Sequence, residues 1–279
     1  MKNGHWCIPL FYLRLGFLRA LNYKSDMKEL QVAIEAAKES GKILGKYFRT
    51  NLKVERKPDM SPVTIADKES ERKIVSVIKK YFPDHNFLGE EFSYKKTKSE
   101  FRWIIDPLDM TKNFIRGIPF FSNFIGLERK GKIIAGVISM PAMGILAYAG
   151  LGKGTFINGE KAEVSGTNDI SEAFMVFGNA DKNSLGAYEK HFYNLVNKCA
   201  FNRGYGDALG YILLAQGCAD IVFDMPKPWD IAPGKIIVEE AGGKVTDFEG
   251  KNTIYSGNSI ATNGKLHSSA IKILKSRPP

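Results

Sequence analysis

The sequence predicts a layered α/β protein built of two closely packed sub-domains. Three observations predict it: two amphipathic helical patterns come first, a run of short strands with antiparallel character comes next, and helices and strands alternate through the second half. A chain of 279 residues is long enough to bury a core of that kind.

Residues 1–26 differ in character from the rest of the chain. Their apolar stretch is interrupted by Arg14 and Arg19, and no small-residue cleavage site comes cleanly after it, so a secretory signal is not indicated. They are set apart as an extension, either disordered or upstream of a true start at Met27; a basic amphipathic arm touching membrane is the other reading. From Met27 the apolar positions Leu30, Ile34, Ala37, Leu44 and Phe48 recur at helical spacing and predict a helix to about Tyr47. A second helix is expected from Pro62 to Lys80, with Ile74, Val77, Ile78 and Tyr81 inward and Pro83-Asp84 closing it. Strands are expected at Asn86 to Leu88, Arg102 to Ile105, Phe121 to Leu127 and Ile133 to Met140, the last two hinged on Lys130-Gly131. Asn158-Gly159 marks a tight turn. Helices then fall near Ala187 to Asn197, Asp207 to Gln216, Trp229 to Ala241 and after Gly264, with strands at Asp220 to Phe223 and Lys244 to Asp247. The globular part spans residues 27–279, divided at about residue 180 into sub-domains 27–180 and 181–279.

Composition excludes several classes. With 44% hydrophobic and 25% charged residues the chain is neither disordered, fibrous nor a multi-span membrane protein. Its 3 cysteines lie far apart without ligand spacing, which indicates no disulfide framework and a reducing, cytoplasmic setting. The net charge of +10 invites a nucleic-acid reading, but residues 1–26, 41–60 and 264–279 carry +3, +4 and +4, leaving −1 for the rest. Such flanks are read as solvated surface that attracts phosphorylated small molecules, with neither nucleic acid nor membrane as the main partner.

The chemistry concentrates in carboxylates at element ends. Gly89-Glu90-Glu91 comes after one strand, Asp106 and Asp109 end another across Pro107, and Trp229-Asp230 opens a helix. Singly, each would be a helix cap or a surface charge. Jointly they are what a hard divalent cation requires, since Mg²⁺ takes oxygen ligands and like charges gathered without a cation repel.

These residues resemble the inositol monophosphatase superfamily of Mg²⁺-dependent phosphatases. The resemblance rests on Trp103-Ile-Ile-Asp-Pro-Leu-Asp-Met-Thr111, on Trp229-Asp230-Ile-Ala232 through Glu240-Ala-Gly-Gly243, on Gly89-Glu90-Glu91, and on Val63, Thr64 and Asp67; it covers about residues 27–275. It implies an αβαβα sandwich, usually a homodimer, that removes phosphate from a small phosphomonoester. By resemblance, Glu90, Asp106 and the Leu108 carbonyl hold one Mg²⁺, and Asp106, Asp109 and Asp230 a second. Asp67 helps place a third, weaker ion, and the Thr111 hydroxyl paired with Asp67 activates the attacking water. The phosphate sits on backbone N–H groups of the helix that Thr111 begins, beside Met110 and Lys112. Li⁺ is the implied inhibitor at the second metal position.

Met110 departs from the pattern, standing where the family has glycine. If that position needs positive φ or lets phosphate approach the backbone, a methionine strains or crowds it, and a damaged enzyme is one outcome. The segments Lys57-Pro-Asp-x-Ser-Pro-Val-Thr64, Thr111 to Gly117 and Arg203 to Tyr211 look more like the histidinol-phosphate phosphatase branch than like inositol monophosphatases. Asp207 beside the substrate suits a cationic amine, or else caps the next helix. Asp224 falls near the family's inositol-binding acidic position, with a one-residue gap before Trp229. Histidinol phosphate is therefore the expected substrate, inositol monophosphate the alternative, and a non-catalytic RNA- or protein-binding regulator on the same fold the reading from another class.

Overall fold

The computed structural model describes residues 27–180 and 182–276, so the extension at residues 1–26 lies outside the described residues. Helix α1 (Lys28–Tyr47) buries Leu30, Ala33, Ile34, Ala37 and Leu44, the stripe its spacing predicts. Helix α2 (Ile65–Tyr81) begins later than Pro62. Pro62–Val63 is instead a short strand, β2, paired antiparallel with β1 (Glu55–Arg56), and Thr64 caps the helix by accepting the Ala66 N–H.

A seven-stranded sheet comes next, in the order β3-β4-β5-β6-β7-β8-β9. Its strands are β3 (Asn86–Gly89), β4 (Phe101–Asp109), β5 (Ser122–Arg129), β6 (Lys132–Met140), β7 (Ile145–Gly150), β8 (Gly154–Ile157) and β9 (Glu160–Ala162). Only the β3–β4 pairing within this sheet is parallel. A one-turn helix, α3 (Thr111–Ile115), leaves the end of β4. The Asn158-Gly159 turn forms between β8 and β9, with φ of 51° and 86°.

The second sheet has the order β11-β10-β12-β14-β13. Strand β10 (Phe174–Phe177) runs parallel to β11 (Phe201–Arg203) and to β12 (Ile221–Asp224), while β14 (Ser259–Thr262) is antiparallel to β12 and to β13 (Lys244–Thr246). The helix expected near 187–197 is α5 (Glu189–Val196), and a short α4 (Lys182–Leu185) precedes it, with Gly186 turning between the two at φ 50°. Helices α6 (Asp207–Ala215), α7 (Pro228–Glu240) and α8 (His267–Lys275) complete the chain.

Alternation along the strands explains the layers. On the first sheet Trp103, Ile105, Ile125 and Val137 face α1 and α2, whereas Ile104, Phe124 and Ile138 face α6 and α7. Val176, Val222 and Ala261 of the second sheet close on the same helices, and Met175, Ile221, Phe223 and Ile260 turn outward to α5 and α8. The result is the expected αβαβα sandwich. Helix α7 lies flush on β5 and β6 because glycine stands at the contact: a Cβ on Gly136 would come 2.7 Å from Pro233 Cα. Among the described residues no helix is long and apolar enough to cross a membrane.

Helix α8 is tied to the second sheet by His267, which is buried. Thr246 Oγ1 donates to the Asp247 carbonyl and so accepts from His267 Nε2 at 3.0 Å; Thr262 Oγ1 donates to Nδ1 at 3.1 Å. That pattern requires a neutral ring. Burial, with Lys244 and Lys235 nearby, pushes the imidazole pKa down to about 4. The unfolded chain then takes up the proton first, so the ring's contribution is whole above pH ~6.5 and lost as the pH falls toward 4, by at most about 1.4 kcal/mol per pH unit. The stability difference between the wild type and His267→Gln, measured by urea unfolding, should shrink from pH 7 to pH 5; a constant difference would show that the ring carries no such penalty.

Candidate active site

The site begins with a bulge. Asp106 pairs with Phe124 and Asp109 with Ser122, so β4 advances three residues while β5 advances two. In a regular strand, residues three apart point to opposite faces; the extra residue at Pro107-Leu108 turns both carboxylates toward one pocket. Pro107, unable to donate to the ladder, sits where no donation is needed. The bulge is held from below by a buried chain of donors. Asn123 Nδ2 donates to Ser40 Oγ, Ser40 to Ser70, and Ser70 Oγ to the Pro107 carbonyl at 2.9 Å.

Other elements aim at the same place. Glu90 stands just past the end of β3, Asp230 lies in the first turn of α7, and Asp67 lies in the first turn of α2. The chain gives several of these carboxylates one fixed donor. Asp106 Oδ1 accepts from Leu108 N–H at 2.9 Å, Asp109 Oδ2 from Ser122 Oγ at 2.6 Å, and Asp230 Oδ2 from Lys227 N–H at 2.9 Å. Glu90 is the carboxylate whose charge acts most strongly on Asp106.

Burial is the main electrostatic cost and mutual repulsion the next. Asp106 is held well above the usual carboxylate range by burial and then by Glu90, Asp230 and Asp109. Asp109 is raised by burial and by Asp207, and Asp230 is pushed up to about 7, chiefly by burial. Lys57 reaches in as a counter-charge, with its Nζ 2.7 Å from Glu90 and 2.5 Å from Glu91. Its own burial would lower the ammonium, but these two bonds outweigh that and hold it above its ordinary value. Among the described residues no three His, Cys, Asp or Glu side chains already converge as ligands on one point. The donor set nevertheless fits a hard cation: oxygen atoms alone, several of them buried beside like charges that a cation would neutralise.

Thr111 opens α3 and places its hydroxyl 3.0 Å from the Leu108 carbonyl and 3.2 Å from Asp67 Oδ1. Asp67 Oδ2 is engaged elsewhere, accepting from the Thr64 N–H and hydroxyl, so the capping box that starts α2 also fixes the carboxylate facing Thr111. Burial raises the pKa of Asp67.

A second acidic group adjoins the first. Asp224 is buried at the end of β12; its Oδ1 accepts the Met225 N–H, and its Oδ2 has no hydrogen-bond partner. Asp207 begins α6 nearby, and a Cβ built on Gly178 would lie 2.8 Å from Asp224 Oδ1 and 3.5 Å from Asp207 Oδ1. Burial lifts Asp207 to about 6, and burial together with Asp207 raises Asp224 well above its ordinary value. The helix-cap reading of Asp207 does not hold: the cap position is Gly206, and Asp207 takes φ 55° without a capping bond. Lys112 and Arg203 are not drawn into the cluster. Lys112 is exposed on α3, and the Arg203 guanidinium donates to the neighbouring Asn202 carbonyl. Sequence reasoning overlooked Lys57 as the counter-charge and the Ser70 support; Glu91, which it grouped with Glu90, is held by Lys57.

A profile of the inositol monophosphatase family matches residues 26–278. The chain belongs to the inositol monophosphatase family. As a member it is a phosphatase, a hydrolase of phosphoric monoesters. The histidinol-phosphatase of Chlorobaculum parvum is 38% identical over 237 residues, covering 84% of this chain and 91% of that protein. The crystal structure of extragenic suppressor protein suhB from Bartonella henselae superposes with a TM-score of 0.82 at 34% identity, over 88% of this chain and 98% of that one. The Thermotoga maritima IMPase structure gives 0.80 at 35% identity, over 89% and 97%.

Met110, singled out from the sequence, has a strained backbone. It takes φ 62° and ψ 44°, the left-handed region that costs a side-chain-bearing residue about 1–2 kcal/mol. Asn113 Nδ2 approaches the Met110 sulfur at 3.6 Å and donates to the Phe120 carbonyl at 3.1 Å, so the methionine is folded onto the helix it precedes. Met110→Gly should raise kcat/KM on a generic aryl phosphate about tenfold, corresponding to about 1.4 kcal/mol of strain or crowding removed. A rise in KM confined to one larger substrate would show instead that the methionine packs against that substrate.

Proposed function

We propose that this phosphatase hydrolyses histidinol phosphate with Mg²⁺ as cofactor. Glu90, Asp106, the Leu108 carbonyl, Asp109 and Asp230 would hold the ions. Mg²⁺ bound there would supply neutralising charge to the phosphoryl oxygens and acidify a water. The remaining steps belong to the chain. Thr111 has one hydroxyl proton; when that proton is directed to Asp67, its lone pairs accept from the attacking water and aim it in line with the ester bond. The buried Asp67 carboxylate, more basic than an exposed one, receives the proton through Thr111. Thr111 and Lys112 N–H groups in the first turn of α3 have no intrahelical acceptor and are free for phosphate oxygens. The new bond joins water oxygen to phosphorus, and the bond to the substrate alcohol breaks.

The observation that carries the substrate assignment is the pairing of Asp207 with Asp224, whose Oδ2 is buried without a partner. Two adjacent carboxylates favour a cationic group over a polyol hydroxyl, and histidinol phosphate carries an amine. The 38% and 34% identities to proteins named histidinol-phosphatase support the same reading.

The test is phosphate release from histidinol phosphate, inositol 1-phosphate and an aryl phosphate, with Mg²⁺ and with EDTA. Histidinol phosphate should be turned over fastest and only with Mg²⁺, and Asp109→Asn or Asp230→Asn should abolish turnover while leaving the fold intact. Full activity of both variants in EDTA would overturn the metal reading, and preference for inositol 1-phosphate the substrate reading. In the same assay Asp207→Asn should raise KM for histidinol phosphate about tenfold, the scale of one charge-assisted hydrogen bond. Its KM for the aryl phosphate at saturating Mg²⁺ should stay as in the wild type. An equal rise on both substrates would place Asp207 in general support of the pocket.

A further inference from the structure

Four residues beyond Asp67, helix α2 carries a second carboxylate that takes no part in the proposed hydrolysis. Glu71 is fully buried and shares a helix face with Asp67. Its Oε2 accepts the Glu91 N–H at 2.9 Å; its Oε1 accepts the Phe92 N–H at 3.1 Å and the Tyr94 hydroxyl at 2.8 Å. The charge is met by these neutral donors, all from one short segment of chain.

That segment is the one that presents Glu90. Before it, Gly89 has no room for a side chain, because a Cβ there would lie 2.0 Å from Glu71 Oε1. At Glu90 itself the N–H donates to the Ile105 carbonyl of β4 at 3.2 Å. After it, the next two N–H groups are both taken by Glu71. The backbone that carries Glu90 is thus gripped on both sides, by β4 through one bond and by Glu71 through two. An apolar side chain would fill the same buried position on α2 without the penalty of burying a charge. The capping box and Ile74, Val75 and Ile78 already secure the helix. The carboxylate is therefore costly for stability, and its bonds all serve the aim of its neighbour.

We infer that Glu71 is a positioning residue, which fixes the backbone of the 89–92 segment so that the Glu90 carboxylate faces Asp106 across the pocket. Supporting residues of this kind act by holding a metal ligand in place, and their loss weakens ion binding before it affects the chemistry of a filled site. The inference rests on the proposed Mg²⁺ dependence.

The test is Mg²⁺ binding measured by isothermal titration calorimetry on the metal-free protein, beside the Mg²⁺ dependence of phosphate release. Glu71→Gln keeps the volume but turns an amide NH₂ toward one of the donors. It should weaken Mg²⁺ binding about 10- to 100-fold, with kcat at saturating Mg²⁺ within about threefold of the wild type. Tyr94→Phe removes one of the three bonds outside the helix and should weaken binding in the same direction by about threefold. Unchanged Mg²⁺ affinity in a folded Glu71→Gln protein overturns the inference and leaves Glu71 as a loop tie alone; should that variant not fold, unchanged affinity in Tyr94→Phe does the same. A loss of kcat at saturating Mg²⁺ with unaltered affinity also overturns it. If the wild type itself binds no Mg²⁺, the metal reading fails first and the inference falls with it.

Discussion

The structure is organised around the repulsion of carboxylates that the fold forces together. Asp106, Asp109 and Asp224 are buried and Asp207 and Asp230 stand beside them; burial raises the pKa of each, and neighbouring carboxylates raise Asp106, Asp109, Asp224 and Asp230 further. Such a group gains nothing from proximity until a cation enters, so folding must supply the work of assembling it. The chain does so with single, well-placed donors: the Leu108 N–H, the Ser122 hydroxyl, the Lys227 N–H and the Met225 N–H. Each fixes one oxygen of its carboxylate without neutralising the charge. A salt bridge in the same places would have held the side chains more firmly and cancelled the field that attracts a cation. Lys57 is the visible compromise, a single ammonium shared between Glu90 and Glu91 at the mouth of the cluster.

The layered architecture answers the same need. No one element can carry so many carboxylates, so they come from the ends of β3, β4 and β12 and from the first turns of α2, α6 and α7. Element ends converge only if the layers are packed in register, and the close seat of α7 on Gly136 is what brings Asp230 to the bulge in β4. Core packing and site geometry are consequently one problem here. An enlarged residue at Gly136 would lift α7 from the sheet and move a carboxylate located at the far end of the contact.

How far the sequence discloses this depends on the range of the interaction. The Trp103 to Thr111 motif and the Trp229-Asp230 pair are local, and both stand where their spacing places them. The start of α2 was misjudged because a capping box formed by Thr64 and Asp67 overrides the helix-permissive Pro62. Strands β10 and β14 escaped notice since short apolar runs carry no period that separates strand from helix. The bulge is not legible in that spacing: the extra residue that turns Asp106 and Asp109 toward one pocket shows only in the pairing with Phe124 and Ser122. Glu71 and Ser70 offered one unused signal, polar residues on the helix face that also carries Asp67, opposite the exposed Arg72 and Lys73.

The placement of the two acidic groups also bears on how specificity and chemistry are divided. Asp106, Asp109 and Glu90 belong to the first sheet, whereas Asp224 belongs to the second and Asp207 to the helix layer between them. On the proposed reading, ions and phosphate are gripped at the ends of β3 and β4 with help from α3 and α7, and the organic part of the substrate by Asp224 of the second sheet with Asp207 of α6. Substitutions in the second group can then alter which alcohol is released without moving the water, the ions or the phosphate. The division has a physical limit, because Asp207 and Asp224 share the field of Asp109 and Asp230. Removing a charge from the specificity group lowers the negative potential on the ion ligands as well, so a neutral pocket for a polyol would also loosen its hold on divalent cations. Specificity and ion affinity are separable in geometry and coupled in electrostatics, and the coupling is strongest where the carboxylates are driest.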